Sequence, residues 1–165
     1  MLRISMTTVI TRIKRIAGAL KRSYDYVRSR TYEIDELWTY IGKKSNETWV
    51  MYAIERESGN IVDFKVGSRS KANLAQVTTA ALQTSPKRIC TDRLLTYKNL
   101  IPKWLHHTSR MSTRNIERFN LNLRTHLKRL SRKTICFSKS KEMLEACLKI
   151  YFWSCNGLST GPSIT

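Results

Sequence analysis

The stretch Tyr32-Glu33-Ile34-Asp35-Glu36-Leu37-Trp38-Thr39-Tyr40-Ile41 decides the fold. Tyr32, Ile34, Glu36, Trp38 and Tyr40 alternate with Glu33, Asp35, Leu37, Thr39 and Ile41. A period of two in aromatic and branched residues specifies a strand. Downstream, Trp49 to Ile54 has the same composition and forms a second strand. Glu57-Ser58-Gly59-Asn60 is a turn signal, and Ile61 to Val66 makes a third strand, so the three segments predict an antiparallel meander.

Beyond the meander the period lengthens. Lys71 to Leu82 predicts a helix with Leu74, Val77, Ala81 and Leu82 near one side, ended by Ser85-Pro86. Lys87 to Thr91 is a short fourth strand leading into Asp92, and Arg93 to Asn99 a short helix. Residues 103–112 read as loop or a short edge strand. Thr113 to Leu130 is the clearest helix, with Ile116, Leu123, Leu127 and Leu130 as a buried stripe, and Lys141 to Trp153 is the last. Upstream, Thr7 can cap a helix whose Val9, Ile10, Ile13, Ile16, Ala17 and Leu20 share a face, while Arg12 and Arg15 lie on another. Such a helix suits a DNA groove or a solvated surface equally. The expected class is α/β with a mixed sheet flanked by helices. Residues 1–30 are a basic helical lead-in, 31–155 the domain, and 156–165 a frayed tail.

Charge narrows the partner. The 165 residues carry 30 Lys+Arg against 12 Asp+Glu, a formal +18. A field of that sign suits a polyanion, because each phosphate neutralised releases counterions. A ribosomal protein, a membrane-surface protein or a merely basic surface share that property. No stretch is long and apolar enough for a membrane span, and Ile16 to Leu20 between cations is no signal peptide. A reducing cytoplasm is the simplest compartment. Cys90, Cys136, Cys147 and Cys155 are too widely spaced, with no CxxC or nearby His pair, for a zinc site, and a chain this long with an ordinary core does not call for a disulfide framework.

Acids are scarce, so their positions carry weight. Asp35 lies in mid-strand, Asp92 at the C-terminal end of the fourth strand, where α/β sheets place ligand sites, and Glu117 early on the long helix. Two strand-borne aspartates and a helix-borne glutamate are hard oxygen donors of the kind Mg²⁺ or Mn²⁺ prefers, and two such ions serve phosphodiester chemistry. Bland readings stand beside this one. Asp92 could cap the helix after it, Glu117 could be a favourable first-turn charge, and Asp35 could pair with an arginine. Glu33, Glu36, Glu47, Glu55, Glu57 and Asp63 read as ordinary solvent-facing charges, with Glu36 facing away from Asp35. Asn120, Arg124 and Lys128 recur with Glu117 along one helix face and can reach phosphates. His106 and His107 read as surface residues, and His126 as too distant to take part.

Several segments resemble one family. Tyr32 to Trp38, the Thr91-Asp92 step with Tyr97 after it, Asn115-Ile116-Glu117-Arg118-Phe119-Asn120-Leu121-Asn122-Leu123-Arg124, and Lys128-Arg129-Leu130-Ser131-Arg132-Lys133-Thr134-Ile135-Cys136-Phe137-Ser138-Lys139-Ser140 are similar to transposases of the first-named bacterial insertion-sequence family. The resemblance runs from about Ile4 to Trp153. It implies a ribonuclease H-like fold and a DDE triad of Asp35, Asp92 and Glu117, which would bind two Mg²⁺ or Mn²⁺ ions. It implies hydrolysis at element ends to free a 3′-hydroxyl, then attack of that hydroxyl on target DNA. Arg12, Arg15, Arg118, Asn120, Arg124 and Lys128 are the DNA-facing candidates, and a homodimer on DNA follows by analogy.

One departure matters. The family usually begins with a cysteine-rich zinc-binding segment and a helix-turn-helix; Ser5 to Arg15 resembles only the second helix of that unit. The chain therefore looks like an N-terminally truncated copy. The alternatives are an inactive remnant acting at most as a DNA-binding regulator, or another ribonuclease H-like nuclease.

Overall fold

The computed structural model describes residues 4–21, 28–109 and 113–155. Helix α1 spans Met6–Ala19. The meander follows as β1 (Thr31–Tyr40), β2 (Glu47–Glu55) and β3 (Ile61–Gly67). Then come α2 (Lys71–Leu82), β4 (Arg88–Cys90), α3 (Leu95–Lys98), β5 (His106–His107) and α4 (Arg114–His126), followed by a 3₁₀ turn (Lys128–Leu130) and α5 (Lys141–Cys155). The strands form one sheet in the order β3-β2-β1-β4-β5. The first three are antiparallel; β4 runs parallel to β1, and β5 parallel to β4. This is the mixed, helix-flanked sheet expected from the sequence, in the ribonuclease H-like arrangement. The tail from residue 156 and the stretch 22–27 of the lead-in lie outside the described residues.

Both faces of the sheet are covered, which is why the strands read as dense apolar runs. On one face Tyr32, Ile34, Met51, Ala53 and Val62 pack against Leu74, Val77 and Ala81 of α2 and against Tyr97 of α3. On the other, Leu37, Val50, Tyr52, Ile54 and Val66 pack against Ile116 and Leu123 of α4 and against Leu144, Leu148 and Phe152 of α5. Phe152 anchors this second layer, its ring 5.1 Å from Phe64 and 5.8 Å from Tyr52. The alternation along β1 thus sends Tyr32, Ile34 and Glu36 toward α2 and α3, and Glu33, Asp35 and Leu37 toward α4.

Helix ends differ from the sequence reading where capping chemistry or tertiary packing intervenes. Ser5, not Thr7, caps α1: its hydroxyl accepts from the Thr8 amide at 3.1 Å. Ser70 caps α2 through the Asn73 amide. Helix α4 stops at His126, short of Leu130, because Leu127 leaves helical geometry at φ −104° and ψ 89°. The 3₁₀ turn then folds Leu130 back into the core at 1% exposure, so the apolar stripe continues after the helix has ended. The start of α4 is held from the sheet. Thr113 makes no side-chain cap; the Glu33 carboxylate of β1 instead accepts the Ile116 amide at 2.8 Å. An anion there meets the unpaired N–H groups and the positive end of the helix dipole.

Candidate active site

The site forms because β4 is short. β1 and β4 pair only from Thr31 opposite Arg88 to Glu33 opposite Cys90. Past Cys90 the chain turns away, so Asp35 and Glu36 lie where the parallel pairing has ended. Continuing the register two residues sets Asp92 beside Asp35. Side chains that point to opposite faces of β1 can therefore both reach Asp92 around the open seam. One carboxylate oxygen from each of Asp35, Glu36 and Asp92 lies within 4.8 Å of the others.

Asp35 is held from α4. Its Oδ2 accepts from Asn120 Nδ2 at 2.7 Å, and Asn120 Oδ1 accepts from the Tyr52 hydroxyl at 2.7 Å. The Tyr52 hydroxyl thus fixes which end of the Asn120 amide meets the carboxylate. Burial raises the Asp35 carboxyl to about 6; the Glu36 and Asp92 charges add to the rise, and the Glu36 amide and Asn120 oppose it.

Glu36 is a correction to the sequence reading: it is not solvent-facing but 8% exposed. Its Oε1 accepts from the Tyr97 hydroxyl, and its Oε2 accepts from Arg69 Nη2 at 2.7 Å and Nε at 3.1 Å. Burial pushes its carboxyl up, while Tyr97 and Arg69 pull it back. Arg69 lies in the β3–α2 connection, stacks over Trp49 at 4.8 Å, and comes within 3.8 Å of Asp92 Oδ2. One signal in the sequence does point to Glu36. It shares a strand face with Ile34, a core residue, and a charge on a core face needs a partner.

Asp92 Oδ1 accepts from the Leu94 amide at 2.9 Å, while its side chain stays 44% exposed. It therefore shapes the turn into α3 and still presents an oxygen to the cleft. Behind it, Thr91 Oγ1 donates to the Asp92 carbonyl and lies 2.8 Å from His106 Nε2. Its one proton being used, the hydroxyl accepts from His106, so His106 braces this turn from β5.

Glu117 stands outside the group of three. It is exposed, its Oε1 accepts from the Thr113 hydroxyl at 3.0 Å, and with Asp92, Arg93, Thr108, Ser109 and Thr113 it lines a cavity of about 330 Å³. Asp92 is common to the cavity and to the cluster.

Glu33 and Glu55 also depart from the solvent-facing reading, at 1% and 4% exposure. Glu33 pairs with Arg56 at 2.7 Å besides capping α4. Of the expected DNA contacts, Arg12 and Arg15 are exposed on α1, and Arg118 and Lys128 are exposed on and after α4. Arg124 is half-buried; its Nε has no hydrogen-bond partner among the described residues, and burial and the nearby Arg132 lower its proton affinity. Asn120 has both ends of its amide engaged inside the site. His126 bonds the Tyr151 hydroxyl through Nδ1 at 2.7 Å.

The sequence of residues 30–154 matches the family model of the IS1 transposase. The chain belongs to the IS1 transposase family. It is 35% identical to the insertion element iso-IS1n protein InsB of Shigella dysenteriae over 113 residues, 68% of this chain and 86% of that protein. It is 37% identical to the insertion element IS1 4 protein InsB of Escherichia coli K12 over 119 residues, 72% of this chain and 71% of that protein. In fold, this IS1-family chain resembles a chain of the simian T-cell lymphotropic virus intasome in complex with PP2A regulatory subunit B56 gamma. The TM-score is 0.53 at 14% identity, over 88% of the IS1-family chain and 59% of that one. No helix among the described residues is long and apolar enough to cross a membrane.

Proposed function

We propose that this chain is a DNA transposase whose residues 31–155 carry metal-dependent strand cleavage and strand transfer at Asp35, Asp92 and Glu117. The observation that carries the proposal is the convergence of Asp35, Glu36 and Asp92 oxygens within 4.8 Å inside a protein of net charge +18. A concentration of like charge amid burial is costly, and the raised Asp35 carboxyl registers that cost. The donor set fits Mg²⁺ or Mn²⁺: hard carboxylate oxygens, partly exposed, with no thiolate or imidazole among them. Asp35 and Asp92 would hold such ions, and Glu117 would join from the cavity it shares with Asp92. Two divalent cations supply Lewis-acid activation of an attacking oxygen and stabilisation of a leaving one.

The chain's own residues have separable tasks in this reading. Asn120 orients Asp35 and keeps one carboxylate oxygen committed. Glu36, held by Arg69 and Tyr97, is not free to move and keeps the Arg69 guanidinium beside Asp92. The 330 Å³ cavity beside Asp92 and Glu117 offers room for a scissile phosphate, with Arg93 in its wall. Arg12, Arg15, Arg118, Arg124 and Lys128 contact the DNA backbone of element ends and target, on a homodimer in the bacterial cytoplasm.

The test is cleavage and joining of duplex DNA carrying insertion-element ends, with Mg²⁺ or Mn²⁺ supplied or chelated. Product is expected only with metal. Asp35→Asn and Asp92→Asn should lose it by at least about a hundredfold while DNA binding persists, since removing an electrostatic contribution to the transition state costs on that order. Metal-independent product, or full activity in both variants, would overturn the assignment. A second reading, DNA binding without chemistry, draws on the position of Glu117 outside the cluster. Retained gel retardation with no product under any metal would favour it.

A further inference from the structure

The segment joining the 3₁₀ turn to α5 has no part in the site described so far, yet it is built to present one side chain. Ile135 is 93% exposed, more than any other large hydrophobic residue among the described residues. Its surroundings are braced. Ser138 bridges Ile41 at the end of β1, and the Gly42 amide donates to the Ser138 carbonyl at 2.8 Å. The Tyr40 hydroxyl donates to the Thr134 carbonyl at 3.4 Å, and the Tyr40 ring lies 5.7 Å from that of Phe137. Within the tip, the Cys136 amide donates to Thr134 Oγ1 at 2.9 Å, closing a turn with Ile135 at its apex. At the near end, Ser131 Oγ donates to the Arg124 carbonyl at 3.0 Å, tying the loop to the helix that holds Asp35.

The frame is uniformly cationic. From Leu127 to Ser140 there is no Asp or Glu, while Lys128, Arg129, Arg132, Lys133 and Lys139 are present. Arg132, Lys133 and Lys139 are exposed around the apex. A lone large apolar group on a braced turn, ringed by positive charge, has the build of a wedge. Such side chains enter between base steps from the minor groove, while flanking cations hold the phosphates on either side.

We propose that Ile135 is a DNA wedge, inserted at a base step of bound duplex and kinking it. The occupant is duplex DNA on grounds of charge complementarity and of continuity with α4. A single apolar residue on a turn offers little area to a lipid surface or to a second protein. The inference rests on the DNA-processing reading above.

The test uses the full chain and a duplex with 2-aminopurine at a flexible pyrimidine–purine step, together with end-to-end energy transfer as a measure of bending. The parent chain should raise 2-aminopurine fluorescence and shorten the end-to-end distance. Ile135→Ala should lose most of both signals while keeping the slope of log affinity against log salt. Ile135→Leu, which restores the apolar bulk, should restore them. At 93% exposure, neither change disturbs the core. Salt-dependent binding with no fluorescence rise in the parent chain, or a rise unchanged in Ile135→Ala, would overturn the wedge and leave the DNA-processing reading intact. Absence of both duplex binding and metal-dependent cleavage would overturn that reading, and the wedge with it. A drop in self-association or in binding to anionic vesicles in Ile135→Ala, with DNA shape unaffected, would overturn the wedge and assign the residue to those surfaces instead.

Discussion

Asp35 is the residue at which charge and burial conflict most openly. Its carboxyl is raised from an ordinary value of 3.8 to about 6, by burial first and by neighbouring acids after that. Because the folded chain binds this proton more tightly than the unfolded chain, its contribution is fully present below about pH 4. It is lost as pH rises through about 6. Asp35→Asn removes the penalty and can still accept the Asn120 amide. Without metal, the variant should exceed the parent in stability by about 1–3 kcal/mol at pH 8 and by little at pH 4, given about 1.4 kcal/mol for each tenfold difference in proton affinity between the folded and unfolded chains. Urea denaturation at both pH values in chelator measures this, and an equal difference at the two would refute it. Metal has the converse effect: a cation that needs the ionised form should stabilise the parent more at pH 7.5 than at pH 5. The sequence disclosed Asp35 and Asp92 because a charge within an apolar strand or at a strand end is locally conspicuous. It did not disclose the burial of Glu36. That depends on Arg69, which is 33 residues away in sequence, and on how early β4 ends.

At the scale of elements, α4 shows how strand and helix are joined. The Glu33 carboxylate both accepts the Ile116 amide and pairs with Arg56. Glu33→Gln keeps the shape but weakens both interactions. It should cost about 2 kcal/mol, of the order found when a buried pair loses its charge at a helix start. Hydrogen exchange at Glu117 and Arg118, in the first turns of α4, should quicken in the variant. Exchange in α2, at Leu74 and Val77, should not. Uniform acceleration would mean that Glu33 serves global stability and has no specific hold on α4. The bounds of α2, Lys71–Leu82, follow directly from its sequence because its capping serine and its apolar spacing are local. The end of α4 was not legible in that way. The apolar spacing runs on to Leu130, and only the fold reveals that Leu130 reaches the core from a 3₁₀ turn. The strands of the meander were legible to within about two residues, since alternation in β1 and β2 is set by their own side chains. The two-residue β5 carries too little pattern to be distinguished from loop.

For the whole molecule the dominant quantity is the net charge of +18. Self-repulsion on that scale opposes compaction, and the same charge attracts a polyanion. Salt should therefore act with opposite signs on two measurements. Raising it from about 50 to about 200 mM should raise the thermal midpoint of the free chain and weaken duplex binding, each phosphate contact contributing a slope of about −0.9 in log affinity against log salt. Arg124→Ala should flatten that slope by about one contact, whereas a slope equal to the parent's would remove Arg124 from the DNA path. The basic character was legible from composition alone. Its distribution was not, since the sequence sets Asn120 beside Arg124 on an expected outer face and the fold turns Asn120 inward to Asp35.

The bridge between Ile41 and Ser138 fastens the cationic loop to the same strand that carries Asp35. Six residues of extended chain separate Asp35 from Ile41, about 20 Å at about 3.3 Å per residue. Duplex DNA rises about 3.4 Å per base pair, so that length of strand corresponds to about six base pairs. β1 thereby sets the separation between the carboxylates and the loop's anchor, and lengthening it by two residues would change that separation by about 7 Å.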